Sequence, residues 1–199
     1  MIIDRITYPL MSKNFVKRVT DKSRIMLVNT FNTGMNHYVG WNTRLGGKYK
    51  STTAYTVDKD GSVYEHFDPA YYGEILNRKI DDTLIVISVV NLGFLTLDKE
   101  TNEYVTWLGD IYNGEVVERR WRGHRFWEPY TEEQMESVVE LLEYLCEEHT
   151  IGNNVVSHNT TIDAPNTFSG IMCRSNFDKH YSDLSPAWDF ELLKERMKL

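Results

Sequence analysis

The six histidines are the first candidates for metal or proton chemistry in this 199-residue sequence. They are His37, His66, His124, His149, His158 and His180. No two of them form an HxH, HxxH or HExxH motif, so local spacing identifies no metal site. His158 follows the β-branched pair Val155-Val156, which predicts an imidazole at a strand end. Asp183 precedes a Leu-Ser-Pro-Ala-Trp turn, which predicts a carboxylate outside regular structure.

A basic and aromatic segment, residues 119–127, lies within this otherwise acidic chain. Its candidate binding residues are Arg119, Arg120, Trp121, Arg122 and Trp127. Arginine pairs with carboxylate or phosphate and tryptophan stacks on sugars or bases, so one interpretation is a surface for an anionic polymer or a partner. The other interpretation is a strand whose arginines cover an acidic helix face at Glu136, Glu140 and Glu143. The sequence leaves both open.

Composition limits the class of protein and of partner. The chain carries 22 Lys and Arg against 29 Asp and Glu, a formal net charge of −7, so nucleic acid is not expected as a partner. Two cysteines outside any CxxC pair exclude a disulfide framework and a thiolate zinc cage. No apolar run reaches the ~20 residues of a membrane span or resembles a signal peptide, so we expect a protein made in the cytoplasm. With 41% hydrophobic residues, the chain is expected to form one domain.

Two apolar runs and one hairpin predict the central sheet. Residues 24–30 and 83–90 are short buried strands by composition, and the second, rich in β-branched residues, is expected at the centre. Residues 53–57 and 62–67 flank Asp60-Gly61, a pair that is typical of a hairpin turn.

A second, extra hairpin is predicted around Asn113-Gly114. Both residue types tolerate positive φ, and the flanking stretches 104–112 and 115–121 have strand-like composition. This hairpin would lie outside the central sheet.

Two helices are predicted from capping signals. Thr131 and Gln134 form a capping box at the start of the first helix. Its apolar positions recur at helical spacing: Met135, Val138, Val139, Leu142, Leu145 and Cys146. Asp189 is the expected N-cap of a shorter helix that reaches Met197. Strands mixed with helices predict an α/β domain in which helices pack on a mixed central sheet.

Five segments occur in the order found in one known family. They are TTAYTVDKDGSVY at 52–64, VVNLG at 89–93, PYTEEQ at 129–134, SHN at 157–159 and DLSPAW at 183–188. Over residues 24–188 the chain therefore resembles the type 2 N-acetylmuramoyl-L-alanine amidases, a family that includes phage lysozyme-like amidases and peptidoglycan recognition proteins. The resemblance implies a single amidase-like domain at residues 24–199, preceded by an N-terminal extension, 1–23. Residues 104–127 and 160–182 would be insertions.

The resemblance also implies a zinc site. In the family, two His and one Asp or Cys hold Zn²⁺, and a bound water attacks the amide between the lactyl group of N-acetylmuramic acid and L-alanine. His158 and Asp183 match two of these ligand positions, and His180 is a further candidate. Val28 stands where the family has its first zinc-binding His. An isopropyl group has no lone pair, so the resemblance implies a degenerate zinc site.

Two further positions depart from the family pattern. Ala54 stands where the family has a His, and Val90 where the central strand often carries Glu. Tyr55 is the aromatic match and a candidate catalytic side chain. Together with Val28, the substitutions at Ala54 and Val90 are expected to lie on one face of the site, as in an active site that has lost its chemistry.

The expected function is that of a catalytically impaired amidase relative, which binds peptidoglycan or serves as a structural part of a larger assembly. No cofactor is then expected, and His158 and Asp183 would remain as a hydrogen-bonded pair. The missing signal peptide suggests a phage protein, virion-associated or released at lysis, with peptidoglycan or a protein as its partner. One alternative is an active zinc amidase that recruits His37, His66 or His180. Another is a structural interaction protein without wall binding. The loop at 162–181 would cover the groove or build an interface.

Overall fold

The computed structural model describes residues 1–76, 79–163 and 167–197. Within these ranges the strands are β1 (Ile3–Asp4), β2 (Arg24–Asn29), β3 (Tyr55–Val57), β4 (Val63–Glu65), β5 (Leu84–Val89), β6 (Phe94–Leu97), β7 (Tyr104–Val105), β8 (Ile111–Tyr112), β9 (Val117–Trp121), β10 (His124–Trp127) and β11 (Gly170–Cys173). The α-helices are α1 (Asn36–Thr43), α2 (Glu132–His149) and α3 (Phe190–Arg196). No helix in the described part of the chain is long and apolar enough to cross a bilayer.

The main sheet has the strand order β1-β4-β3-β5-β2-β11. Strands β3, β5, β2 and β11 run parallel, whereas β4 pairs antiparallel with β3, so the sheet is mixed as expected. The predicted central strand is β5, which is buried along its whole length. The predicted hairpin at Asp60-Gly61 joins β3 to β4, and Gly61 has a φ of 81°. The α/β fold class is therefore confirmed.

The two faces of the main sheet have different coverings. Ile25 and Leu27 of β2 belong to the larger hydrophobic cluster, which includes the apolar stripe of α2. Met26 and Val28, the alternate residues of the same strand, belong to a smaller cluster. Because successive strand side chains point to opposite faces, Val28 faces away from α2.

The predicted helix signals are confirmed. The Thr131 hydroxyl accepts from the Gln134 amide while the Gln134 side chain accepts from the Thr131 amide. The Thr131 hydroxyl also donates to the carbonyl oxygen of Lys59, which holds α2 against the β3–β4 turn. Asp189 caps α3 by accepting from the amides of Glu191 and Leu192.

The prediction of a hairpin turn at Asn113-Gly114 was wrong. A second sheet has the order β8-β7-β6-β10-β9, and residues 113–114 connect its two outer strands. Neither Asn113 nor Gly114 has positive φ, so they cannot form the tight turn that their types suggested. The tight turn is Arg122-Gly123, with φ values of 48° and 83°, between β9 and β10.

The segment expected as an N-terminal extension and the segment expected as an inserted loop each contribute a strand to the main sheet. Within residues 1–23, β1 pairs in parallel with β4. The long segment expected as a loop at 162–181 contains β11, which pairs in parallel with β2 and forms the opposite edge. Part of the second segment lies outside the described residues. The helix α1 was not predicted.

Candidate functional site

A cavity of about 170 Å³ opens on the face of the main sheet that α2 leaves free. Val28 of β2 and Ser88 of β5 form part of its floor and are direct partners in the β2–β5 register. Trp41 of α1 and Tyr49 supply aromatic walls, and the residues following β2 form the rim. The cavity therefore lies at the carboxyl end of β2, where site residues of parallel sheets usually gather.

The lining of the cavity is positively charged. Arg44 and Arg174 both line it, and none of its lining residues in the described part of the chain is Asp or Glu. The Arg44 guanidinium lies 5.4 Å from the ring centroid of Tyr49, so an aromatic wall holds one of the two cations. This local charge is opposite to the formal net charge of −7 of the whole chain.

Asp183 is fully buried behind Arg174. The Arg174 Nη2 donates to Asp183 Oδ2 at 2.8 Å, and its Nε donates to the same oxygen at 3.1 Å and to Oδ1 at 3.3 Å. The backbone amide of Asn29 also donates to Oδ2, at 3.2 Å. The carboxylate that the resemblance assigned to a metal is therefore engaged by a guanidinium that lines the cavity.

A buried hydrogen-bond network holds the chain on either side of this ion pair in place. The Tyr130 hydroxyl donates to Asn29 Oδ1 at 2.6 Å and accepts from the Ser185 amide at 3.4 Å. Burial raises the pKa of Tyr130, so its hydroxyl stays protonated and acts as a donor. The network ties the end of β2 to the chain that follows Asp183.

Of the three positions where the resemblance showed substitutions, Val28 lines the cavity, whereas Ala54 packs in the larger hydrophobic cluster and Val90 is buried without lining the cavity. That the three lie on one face of the site stays a prediction. On the central strand the cavity position belongs to Ser88, whose hydroxyl oxygen lies 2.9 Å from that of Thr53.

Two buried histidines share the hydroxyl group of Thr56. Its oxygen lies 3.1 Å from His37 Nε2 and 2.7 Å from His66 Nε2, and His66 Nδ1 lies 2.8 Å from the carbonyl oxygen of Tyr8. The carbonyl places the His66 proton on Nδ1, so Thr56 donates to His66 and accepts from His37. Burial lowers the pKa of His37 to about 3 and that of His66 to about 4, which keeps both neutral. His37 also lines the cavity.

His158 does not form the expected hydrogen bond with Asp183. Its ring lies edge-on to Trp121, with centroids 4.9 Å apart, and 5.1 Å from Phe190. Its buried Nδ1 has no hydrogen-bond partner among the described residues. Burial and then the charges of Arg119, Arg122 and Lys194 lower its pKa.

Two other predicted site residues lie apart from the cavity lining. His180 is exposed and its Nδ1 lies 2.7 Å from Asp178 Oδ1. Tyr55 is buried in the larger cluster, and its hydroxyl donates to Glu65 Oε2 at 3.1 Å. Burial and the Glu65 charge raise the pKa of Tyr55.

The basic segment 119–127 binds its own chain. Arg119 donates to the carbonyl oxygen of Pro186 at 2.8 Å, and Arg122 donates to those of Ser175, Asp178 and Tyr181.

The aromatic members of the segment differ in exposure. Trp127 is fully buried and donates to the carbonyl oxygen of Arg119, whereas Trp121 is partly exposed and Arg120 is exposed. Arg119 and Arg122 thus hold the chain around Asp183 rather than covering the acidic face of α2.

The donor set at this site does not fit a catalytic zinc ion. Val28 offers no lone pair, Asp183 is paired with a guanidinium, and His158 lies among three cationic side chains. Among the described residues, no group of three or more His, Cys, Asp or Glu side chains is arranged to hold a metal ion. A cation placed beside Arg174 would also be repelled by it.

The sequence analysis did not predict five polar or charged residues that line the cavity or form the hydrogen-bond network beside it. They are Asn29, Arg44, Ser88, Tyr130 and Arg174. A signal existed for one of them, because Arg174 follows an apolar stretch, Ile171 to Cys173, that matches a buried strand. The others are ordinary polar residues whose roles depend on tertiary contacts.

Comparisons with known proteins agree with this fold. The sequence model of the N-acetylmuramoyl-L-alanine amidases matches residues 20–169. The N-acetylmuramoyl-L-alanine amidase LysC from Clostridium intestinale URNW has a TM-score of 0.57 at 12% identity, over 100% of this chain and 99% of its own. The endolysin amidase LysCS from the same organism has a TM-score of 0.59 at 13% identity, over 100% and 96%.

A third similar structure is that of a ligand complex. AMPDH3 from Pseudomonas aeruginosa, in complex with anhydromuramic pentapeptide, has a TM-score of 0.56 at 12% identity, over 98% of this chain and 66% of its own. No curated protein sequence matches significantly. At these identities the structural likeness shows the fold.

Proposed function

The chain belongs to the N-acetylmuramoyl-L-alanine amidase family, and we propose that it binds the muramyl part of peptidoglycan without hydrolysing it through zinc. The observation that carries this proposal is the ion pair of the buried Asp183 with Arg174, a side chain that lines the same cavity as Val28. A family member that used Asp183 as a ligand would need that carboxylate free for the metal.

The same residues support binding. The two arginines and the hydroxyl groups of Ser51, Thr53 and Ser88 line a cavity whose walls include Trp41 and Tyr49. Cations and hydroxyls bind the polar groups of a sugar acid or peptide, and aromatic rings pack against the apolar parts of such a ligand. The Asn29–Tyr130 network fixes Asp183, and Asp183 in turn orients Arg174.

Zinc content and turnover test the loss of catalysis. The purified protein, incubated with excess zinc and desalted, is expected to hold far less than one zinc per chain and to release no stem peptides from peptidoglycan. A positive control is a family amidase treated in the same way. One zinc per chain together with turnover would overturn the proposal in favour of an active enzyme that uses a substitute ligand, and His37 is then the first residue to replace.

A peptidoglycan pull-down tests the binding role against that of a structural protein. The intact protein is expected to be retained on insoluble peptidoglycan and released by soluble muramyl peptides. Loss of retention under all conditions would favour the structural interaction protein.

We further propose a phage context for the chain, as a virion component or a protein released at lysis. The endolysin character of LysCS, as its name states, supports this setting. Mass spectrometry of purified virions from a host that carries the gene tests it, and absence from both virions and lysates would contradict it.

A further inference from the structure

We propose that the cavity recognises the free lactyl carboxylate of N-acetylmuramic acid, the group that remains on the glycan once an amidase has removed the stem peptide. This inference rests on the proposed function and names the ligand of the same site. In the supplying reaction, the amide C–N bond is hydrolysed: the oxygen of water joins the lactyl carbonyl carbon, and the leaving amine of L-alanine takes the proton. The glycan product therefore carries an anion where the substrate carried a neutral amide.

The charge of the cavity is the first argument. Arg44 and Arg174 are its charged lining residues, and no acidic side chain within the described ranges lines it. The rest of the chain is acidic, with 29 Asp and Glu against 22 Lys and Arg. An anionic ligand is thus attracted to this cavity and repelled by much of the remaining surface.

The state of Arg174 is the second argument. Asp183 engages its Nε and Nη2, while its Nη1 makes no hydrogen bond to any described residue. The Tyr181 ring lies 4.3 Å from the guanidinium carbon and covers one of its faces. The ion pair and the ring hold the guanidinium in one orientation, with Nη1 donors left for a ligand at the cavity.

The position of Arg174 is the third argument. Asp183 matches a metal ligand of the family by resemblance, and in the family the metal polarises the lactyl carbonyl. Here the same carboxylate holds a guanidinium, so a positive charge takes the place beside Asp183 that the resemblance gives to the metal. A zinc ion activates a neutral amide, but a guanidinium binds a carboxylate through charge-assisted hydrogen bonds that are stronger than those to an amide oxygen. The site therefore favours the product of the family's reaction over its substrate.

Calorimetric titration of the full chain tests this choice with four soluble probes. They are N-acetylmuramic acid, its neutral lactyl methylamide, N-acetylglucosamine, and the dipeptide L-alanyl-D-glutamate. The acid is expected to bind about tenfold or more tightly than the methylamide, which corresponds to one charge-assisted contact. N-acetylglucosamine lacks the lactyl group and is expected to show no measurable binding.

Two variants and one control locate the effect. Arg44→Gln is expected to weaken binding of the acid by roughly threefold to tenfold, since Arg44 is exposed and can be changed without burying a charge. The paired change R174Q/D183N removes the cation and its buried partner together and is expected to abolish the preference for the acid. Arg18→Gln, at an exposed ion pair with Asp82 that does not line the cavity, is the matched control and is expected to change nothing.

The outcomes separate this inference from the proposed function. Equal binding of the acid and the methylamide would overturn the lactyl carboxylate and leave muramyl binding intact. Tight binding of the dipeptide alone would assign the anion to the stem peptide and also overturn it. Failure of every probe, together with failure to bind intact peptidoglycan, would overturn both proposals. If R174Q/D183N does not fold, the comparison of acid with methylamide and the Arg44→Gln variant still decide.

Discussion

Two buried polar clusters border the cavity, and they are built on opposite principles. The Arg174–Asp183 cluster is an ion pair in which the carboxylate accepts from the guanidinium and from the Asn29 amide, while Arg174 Nη1 makes no hydrogen bond to a described residue. The His37–Thr56–His66 cluster contains the same number of titratable groups, yet burial keeps both imidazoles neutral. One cluster presents a fixed positive charge to the cavity, whereas the other presents an uncharged ring.

The difference shows why the type of residue did not reveal the chemistry of this site. Histidine and aspartate are both metal ligands in principle, and the chain has both near the cavity. Here Asp183 orients Arg174, and His37 and His66 both form hydrogen bonds with the hydroxyl group of Thr56. The positive charge at the site therefore comes from a side chain, and the following experiments probe the two clusters separately.

Acidification is expected to have the largest effect and to act on the histidine cluster. Unfolded histidine has a pKa of about 6.5, whereas His37 and His66 titrate near 3 and 4 in the folded state. Below pH ~6.5 the unfolded chain takes up protons that the folded chain refuses, so the free energy of unfolding falls by about 1 kcal/mol per pH unit for each histidine. Above pH ~6.5 both histidines are neutral in the folded and unfolded states, so they no longer change the free energy of unfolding as the pH rises.

Urea unfolding between pH 7 and pH 4.5 measures this slope, and two variants assign it. His37→Gln is expected to reduce the slope by about one proton. His66→Gln is expected to reduce the slope by a similar amount, because burial also lowers the pKa of His66 in the folded state. An unchanged slope in His37→Gln would show that other groups cause the loss.

Removal of the carboxylate of Asp183 is expected to have the next largest effect. Asp183→Asn leaves Arg174 partly buried without its counter-charge, and it should lower the free energy of unfolding by about 3 kcal/mol at pH 7. The paired change R174Q/D183N should recover more than half of the loss, because no unpaired charge remains. A double variant no more stable than Asp183→Asn would contradict the idea that the ion pair is a unit.

Replacement of Thr56 by valine probes the neutral cluster without changing its volume. It removes the donor to His66 and the acceptor for His37, and it should lower the free energy of unfolding by about 2 kcal/mol. Chemical denaturation at pH 7.5 measures the effect, since both histidines are then neutral in both states. Thr56→Ser, which keeps the hydroxyl group, is the control and should retain most of the stability.

Replacement of His158 is expected to have the smallest effect, because it belongs to neither cluster. His158→Leu removes a buried Nδ1 that has no hydrogen-bond partner in the described chain and keeps an apolar side chain between Trp121 and Phe190. The free energy of unfolding should change by less than about 1 kcal/mol. A loss of free energy of unfolding as large as that of Asp183→Asn would contradict this expectation and would indicate that His158 is part of the site.

The elements predicted correctly are those whose signals are local. The capping box of α2, the turn at Asp60-Gly61 and the apolar run of β5 each lie within a few residues, and each determines its own structure. The turn near residue 113 failed because turn composition permits positive φ without imposing it. Arg122-Gly123 adopts that turn with a less typical first residue.

The site was harder to predict, because its contacts join distant parts of the chain. Asn29 and Asp183 are 154 positions apart, and Tyr130 and Asn29 are 101 apart. The resemblance identified Val28 and Asp183 as positions of interest, and Val28 does line the cavity. Nothing in the local sequence around Asp183 indicates that its partner is Arg174, since pairing depends on how β11 and the following turn fold back.

The strand order of the second sheet ties the 104–127 segment to the rest of the molecule. In that sheet β6 lies between β7 and β10, and both of these neighbours come from the segment that the resemblance predicted to be an insertion. Excision of residues 104–127 would leave β6 with unpaired amide and carbonyl groups along both of its edges. It would also remove Arg119 and Arg122, which brace the chain around Asp183. Any trimmed version of this protein must therefore keep that segment to preserve the cavity.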